Sequence, residues 1–130
     1  MKKGTITPNG VALEKHEYLT VVTLTELGYN VEIIPPSQTR GARTADIKMN
    51  GNEWEMKCPK GQGRWLLENT LKKAAKQSPN VMIDLKRVRI PQAKCLRELE
   101  KQFRYAKGVK RLKIIKRRPQ ARGGVLEFNK

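Results

Sequence analysis

The 130 residues predict a single α/β domain, with a mixed central sheet flanked by helices. Apolar residues recur at helical or alternating spacing in the order helix, three strands, helix and strand, followed by a C-terminal helix and strand. Asn50-Gly51 joins the second and third strands, and this pair favours a two-residue hairpin turn because both positions need positive φ. A hairpin forces at least one antiparallel strand pair, so the sheet is mixed.

The first helix is predicted from about residue 11 to residue 27, after a polar lead-in, with Asn9 as its N-cap and Gly28 ending it. Glu17 lies within its apolar stripe, where a carboxylate is costly unless another group pairs with it. Glu14 borders the same face. The helix alone leaves two interpretations of Glu17, a site residue or a carboxylate at the rim that reaches a lysine.

A strand is predicted at residues 30–34, and Pro35-Pro36 ends it. The polar loop that follows, residues 37–43, contains Arg40 and Arg43 and leads directly into the hairpin. These arginines either position a phosphate beside the hairpin or belong to a solvated loop.

The hairpin has one apolar and one polar face, the period-two pattern of a half-buried strand pair. Counting outward from the Asn50-Gly51 turn places Ile47 opposite Trp54, and one step further it places Asp46 opposite Glu55. The apolar face carries Ala45, Ile47, Met49, Trp54, Met56 and Cys58.

The polar face of the hairpin contains two opposed carboxylates, Asp46 and Glu55, although like charges directly opposite destabilise a sheet. Lys57 follows on the same face. Carboxylates paired in this way suit Mg²⁺ or a similar hard cation, and a nearby lysine can orient the attacking water or offset charge on phosphate oxygens. The alternative is a solvated hairpin face with its carboxylates apart.

After the hairpin, a loop with two glycines contains Lys60 and lacks the pattern of a phosphate-binding P-loop. The next helix is predicted from about residue 66 to residue 77. Its basic face carries Lys72, Lys73 and Lys76, which either line a path for phosphates or are only solvated.

The C-terminal half is predicted to contain a strand at 81–88, a helix between Pro91 and Gly108, and a strand at 109–115. The apolar end, residues 125–128, forms either an edge strand or a loose tail.

Charge is the strongest feature of the composition. Lys and Arg number 28 against 12 Asp and Glu, a formal net charge of +16, which favours a polyanionic partner and above all nucleic acid. A ribosome-associated or membrane-surface protein shows the same excess. No run is long or apolar enough for a membrane span, and the N-terminus lacks the apolar segment of a signal peptide. The single His16 and the two cysteines are expected to be structural.

The order helix, strand, hairpin, helix and strand, with Asp46 followed by Glu55-x-Lys57, resembles the PD-(D/E)XK nuclease fold. The resemblance covers roughly residues 13–87. It implies that Asp46 and Glu55 bind a divalent metal, Mg²⁺ or similar, and that Lys57 assists the attacking water. It also implies a glutamate on the first helix that completes the metal site, for which Glu17 is the best match and Glu14 the reserve.

Two longer runs, ADIKMNGNEWEMKCPKGQG and ENTLKKAAKQSPNVMIDLKR, are similar to the C-terminal tRNA nuclease domain of contact-dependent growth inhibition toxins of the CdiA type. Related domains occur in phage and integrative-element proteins. This resemblance implies metal-dependent endonucleolytic cleavage of tRNA in the cytoplasm of a target cell, and a cognate immunity protein as partner. In some members of the fold the essential lysine comes from the helix after the hairpin, so the resemblance leaves that role either to Lys57 or to one of Lys72, Lys73 and Lys76.

Such toxins are the tips of very large secreted proteins, so we expect either an excised domain or a stand-alone relative. Two rival functions remain open at this point: a DNA endonuclease of the same fold, and a non-catalytic basic domain that binds nucleic acid through a degenerate site.

Overall fold

A computed structural model of the chain describes residues 3–36, 45–119 and 124–130. In these residues a seven-stranded sheet carries its strands in chain order. The strands are β1 (Ile6–Thr7), β2 (Val31–Ile33), β3 (Ile47–Met49), β4 (Asn52–Lys57), β5 (Asn80–Asp84), β6 (Arg111–Ile115) and β7 (Val125–Asn129). The helices are α1 (Lys15–Glu26), α2 (Leu66–Ala75) and α3 (Gln92–Tyr105).

The sheet is mixed, as predicted. β1 is parallel to β2, and β4, β5 and β6 are mutually parallel because α2 and α3 form the crossovers between them. The pairs β2–β3, β3–β4 and β6–β7 are antiparallel. The predicted order of helices and strands is therefore present, with the short strand β1 added at one edge.

Helices cover both faces of the sheet. On one face, Val21 and Leu24 of α1 are buried with strand residues that include Trp54 and Met82. On the other face, α2 and α3 pack on a second cluster that includes Val81 and Ile83. Neighbouring residues of β4 therefore point into different cores, and a charged residue there is not on an open surface.

The hairpin has the predicted turn, with Asn50 and Gly51 both at positive φ, 53° and 79°. Ile47 pairs with Trp54 and Lys48 with Glu53, as counted from the turn. The described ladder ends at the Ile47–Trp54 pair, one step before the predicted opposition of Asp46 and Glu55.

The predicted start of the first helix was wrong by four residues. Asn9 has φ of 50°, and its side chain donates to the carbonyl of Ile33, so it ties the lead-in to β2 rather than capping a helix. The helix begins after Glu14, which forms a capping box with Glu17. The predicted end is confirmed, because Gly28 has φ of 98° and closes the last turn.

Other predicted bounds also change. The polar lead-in contains β1, which pairs with β2. The strand predicted at 81–88 ends at Asp84, where a turn begins, and α2 ends at Ala75 rather than at residue 77.

The apolar C-terminal end is an edge strand rather than a loose tail. The Nζ of the buried Lys113 on β6 lies 3.2 Å from Glu127 Oε1 on β7, over the rings of Tyr29 and Trp54. This ion pair and the ladder together hold β7 in place.

Candidate active site

Asp46 is fixed in place by three hydrogen bonds to its neighbours in the sheet. Its amide donates to the carbonyl of Trp54, and its own carbonyl accepts from the amide of Ile34. Its carboxylate Oδ2 accepts from the amide of Met56 at 2.8 Å. Because Met56 follows Glu55 in β4, this bond draws the Asp46 carboxylate alongside Glu55, even though the two residues are not a ladder pair.

Glu55 is 5% exposed because it lies beside Val81 in the sheet register, on the face that α2 and α3 cover. The pKa of Glu55 is raised to about 7, first by burial and then by the negative charge of Asp46 and a hydrogen bond with its carboxylate. The Lys57 ammonium, 3.2 Å from Glu55 Oε2, opposes both effects without cancelling them. The ionised form of Glu55 is therefore disfavoured beside Asp46 unless a further cation offsets the two charges.

Asp46 and Glu55 fit a hard divalent cation. Both are oxygen donors, they lie together, and a cation beside them would offset the repulsion from Asp46 that contributes to the raised pKa of Glu55. Glu17, the predicted third ligand, is not close enough to share one ion with them among the residues that the structure describes. There it forms a cluster with Glu14 and His16 instead.

Glu17 and Lys57 both line a cavity of about 250 Å³ between α1, the end of β4 and α2. One carboxylate oxygen of Glu17 accepts from the amide of Glu14 at 3.0 Å, so this side chain is turned back onto its own helix. The cavity is lined by His16, Glu17, Thr20, Met56, Lys57, Cys58, Pro59, Thr70 and Lys73. Lys57 therefore connects the carboxylate pair to an adjoining space that other polar groups surround.

A buried polar network lies against this cavity. The Asp84 carboxylate, 2% exposed, accepts from the hydroxyl of Thr20 at 2.7 Å and lies 3.2 Å from the ammonium of Lys86. The same ammonium donates to the carbonyl of His16 at 2.7 Å and to the hydroxyl of Thr20 at 2.8 Å. The network holds the first turns of α1 against the end of β5. It therefore fixes the part of α1 that lines the cavity.

No lining or supporting role was predicted from the sequence for His16, Thr20, Thr70, Asp84 or Lys86. A signal for two of them exists in the sequence, since Asp84 and Lys86 are charged residues directly after a buried strand. Thr20 and His16 carry no such signal, because only the packing of α1 on the sheet brings them here.

Cys58 lies at the cavity with a half-buried side chain. Burial raises the pKa of its thiol, and the charge of Asp84 adds to that rise. The thiol is therefore protonated at neutral pH and is a weak nucleophile.

The predicted nucleic-acid-binding residues fall into three places. Lys73 lines the cavity with Lys57, whereas Lys72 and Lys76 lie on the other side of α2, in the groove between α2 and α3. Lys60 is exposed in the loop after β4. The predicted residues Arg40 and Arg43 lie outside the described residues.

None of the three helices found in the described residues has the length and apolar character that a membrane span requires.

Comparisons with known proteins agree with this architecture. The model of the contact-dependent growth inhibition CdiA C-terminal domain matches residues 43–121 of the chain. The fold is similar to a solved structure described as a CdiA-CT/CdiI toxin and immunity complex from Burkholderia pseudomallei. That match has a TM-score of 0.68 at 17% sequence identity and covers 98% of this chain and 100% of the other. A search of curated protein sequences finds no significant match.

Proposed function

Because the chain belongs to the contact-dependent growth inhibition CdiA C-terminal domain family, we propose that it is a toxin effector domain that cleaves tRNA as a metal-dependent endoribonuclease. The observation that carries the proposal is the convergence of Asp46, Glu55 and Lys57. Two adjacent carboxylates with an ammonium 3.2 Å from Glu55 are a set of side chains suited to metal-dependent phosphodiester hydrolysis. The order of elements around them supports a PD-(D/E)XK nuclease core.

Asp46 and Glu55 would hold the metal, and Mg²⁺ is the proposed ion. When bound, a divalent cation neutralises charge on phosphate oxygens and makes a bound water more acidic. The chain itself contributes orientation. The amide of Met56 fixes the Asp46 carboxylate, and burial in the core restricts the side chain of Glu55.

In this proposal Lys57 stabilises the charge of the substrate. Its ammonium lies 3.2 Å from the Glu55 carboxylate, and its side chain is one-third exposed and lines the cavity. It therefore faces the space where a phosphate would approach, and its charge offsets the negative charge that develops on the phosphate oxygens. Lys73, which also lines the cavity, adds a second cation.

The substrate class follows from charge and family. A net charge of +16 on 130 residues favours a polyanion over a neutral or cationic substrate. We propose tRNA because the hairpin and the following helix resemble the tRNA nuclease domains of this class of toxin. The place of action would then be the cytoplasm of a target cell.

We propose an acidic immunity protein as the partner of the chain. The similar solved structure contains a toxin and an immunity protein together. A strongly basic toxin surface would associate rapidly with an acidic partner, since complementary charges steer the encounter.

The function is tested by incubating the chain with total tRNA and with duplex DNA, beside three variants. Asp46→Asn and Glu55→Gln remove the carboxylates, and we expect each to lower the rate of tRNA cleavage by at least about 10²-fold. Glu53→Gln is the matched control because Glu53 is exposed on the same strand and pairs with Lys48. It should retain the wild-type rate.

Other results would replace the proposal. Cleavage of DNA alone would make the chain a DNA endonuclease with the same site. Salt-sensitive binding of RNA without any cleavage would make it a basic binding domain. Equal loss of activity in Glu53→Gln and Asp46→Asn would show that the site lies elsewhere.

A further inference from the structure

A groove between α2 and α3 lies outside the candidate active site. It consists of two adjoining cavities of about 620 and 610 Å³, which share Glu68 and Gln102 in their walls. The first lies at the N-terminal end of α2 and follows α3 from Lys94 to Gln102, and the second follows α2 from Glu68 to Lys76 and reaches the C-terminal end of α3. Together they form one channel along the pair of helices.

The groove is basic. Among the described residues, six cationic side chains line it, against two carboxylates, Glu68 and Glu98. Both carboxylates already have a partner, since Glu68 lies 3.4 Å from Lys72 Nζ and Glu98 accepts from the side-chain amide of Gln102 at 3.0 Å. The cations are Arg64, Lys72, Lys76, Lys94, Lys101 and Lys107.

Exposed aromatic rings lie near the two ends of the groove. Trp65 is 56% exposed and Tyr105 is 79% exposed, although large aromatic side chains are usually buried. The guanidinium of Arg64 lies 4.8 Å above the Trp65 ring, so a cation and a π surface are presented together. Rings at the ends with cations between them match the needs of a single-stranded nucleic acid, which offers flat bases and regularly spaced phosphates.

We propose that this groove binds a single-stranded stretch of the RNA substrate, with bases stacked on Trp65 and Tyr105 and phosphates on the lysines between them. The inference rests on the proposed function for the identity of the ligand. An acidic protein would satisfy the cations, but it would not explain two exposed rings near the ends of a basic channel.

The position of the groove links it to the candidate active site. Thr70 and Lys73 of α2 face the cavity that contains Lys57, whereas Lys72 and Lys76 of the same helix face the groove. One RNA strand that crosses α2 would therefore contact both surfaces. The groove would hold the substrate while the cleaved bond lies at the hairpin.

The test measures RNA binding by the Asp46→Asn variant in EDTA, so that cleavage does not interfere. The chain has two tryptophans, and Trp54 is 1% exposed. Stacking of a base on Trp65 should therefore quench the accessible part of the emission when tRNA is added, and Trp65→Phe should lower the quenching. We expect Trp65→Ala to weaken binding roughly 5- to 150-fold, the effect of removing one stacked base.

The lysines are tested through the salt dependence of binding. Lys94→Ala and Lys101→Ala should each reduce the slope of log affinity against log salt concentration by about 0.7 to 0.9, as expected for one lost phosphate contact. Tyr18→Ala and Lys48→Ala are matched controls. Tyr18 is 54% exposed and Lys48 is also exposed, and neither lines the groove.

Two results would overturn the inference. Groove variants that bind RNA with the affinity and salt slope of the controls would show that the RNA lies elsewhere. Groove variants that retain RNA but lose an acidic partner protein would make the groove a protein interface. A chain that binds RNA through the groove and never cleaves it would overturn the proposed nuclease function instead, so the two failures are distinguishable.

Discussion

At the scale of single residues, Glu55 is the group whose environment departs furthest from that of an ordinary surface carboxylate. The sequence places it on the polar face of a hairpin, where exposure would be expected. It is buried because β4 is an interior strand and α2 and α3 cover that face. Counting along a hairpin does not reveal this, since burial depends on elements that are distant in the sequence.

The raised pKa of Glu55 predicts how stability depends on pH when divalent metal is absent. Between about 4.5 and about 7, the folded chain holds a proton on Glu55 that the unfolded chain has lost. The free energy of unfolding should therefore fall as the pH rises through this window, by about 1–3 kcal/mol. Glu55→Gln removes this penalty. In EDTA it should melt at a higher temperature than wild type at pH 8 and show little difference at pH 5.

The exposed Glu53→Gln variant serves as the control for this measurement, because its carboxylate is not buried. Melting curves of Glu55→Gln and wild type that keep the same separation at every pH would contradict the account of Glu55.

Asp46 marks the point in the hairpin beyond which local sequence rules no longer predict the hydrogen bonds. The Asn50-Gly51 turn and the alternation of apolar residues determine the register up to Ile47 and Trp54. Beyond that point the chain departs from the ladder, because the Asp46 amide binds the Trp54 carbonyl and its carboxylate binds the Met56 amide. The proximity of the two carboxylates was predictable, whereas the bonds that produce it were not.

At the scale of elements, the position of α1 depends on contacts that cannot be predicted from the sequence of the helix itself. Its end at Gly28 was predictable from turn chemistry, since a glycine readily takes the positive φ that closes a helix. Its start was not, because Asn9 bonds to β2 and leaves the capping role to Glu14. The same limitation applies to the network of Asp84, where residues from α1 and from the end of β5 meet.

Lys86→Met tests the network that anchors α1. The substitution leaves the buried Asp84 carboxylate without its cation, and it removes the bonds to Thr20 and the His16 carbonyl. We expect the free energy of unfolding to fall by about 3 kcal/mol. This loss is at the lower end of the range for a broken buried ion pair, because the Thr20 hydroxyl still donates to Asp84. Chemical denaturation followed by circular dichroism measures the free energy of unfolding.

Lys48→Met is the control for this prediction, since Lys48 is an exposed lysine opposite Glu53 in the hairpin. Exposed pairs contribute at most about 1 kcal/mol. Equal losses in the two variants would show that the Asp84 network does not hold α1.

At the scale of the whole molecule, the fold class and the order of the elements were predictable from periodicity and turn chemistry. The sequence also predicted that Asp46, Glu55 and Lys57 lie close together. It predicted one basic face for Lys72, Lys73 and Lys76. The described fold divides that face, because α2 has a cavity on one side and a groove on the other. Such a division depends on where α3 packs, which no pattern within α2 reveals.

The proposed metal-dependent site at Asp46 and Glu55 is tested most directly by measuring tRNA cleavage while Mg²⁺ is titrated into a reaction that starts in EDTA. Wild type and Asp46→Asn are compared under the same conditions. For wild type, we expect no cleavage in EDTA and discrete fragments that increase with Mg²⁺. For Asp46→Asn, we expect no fragments over the same range. Cleavage by wild type that persists in EDTA, or equal fragment yields from the two proteins, would contradict a metal-dependent site at Asp46 and Glu55.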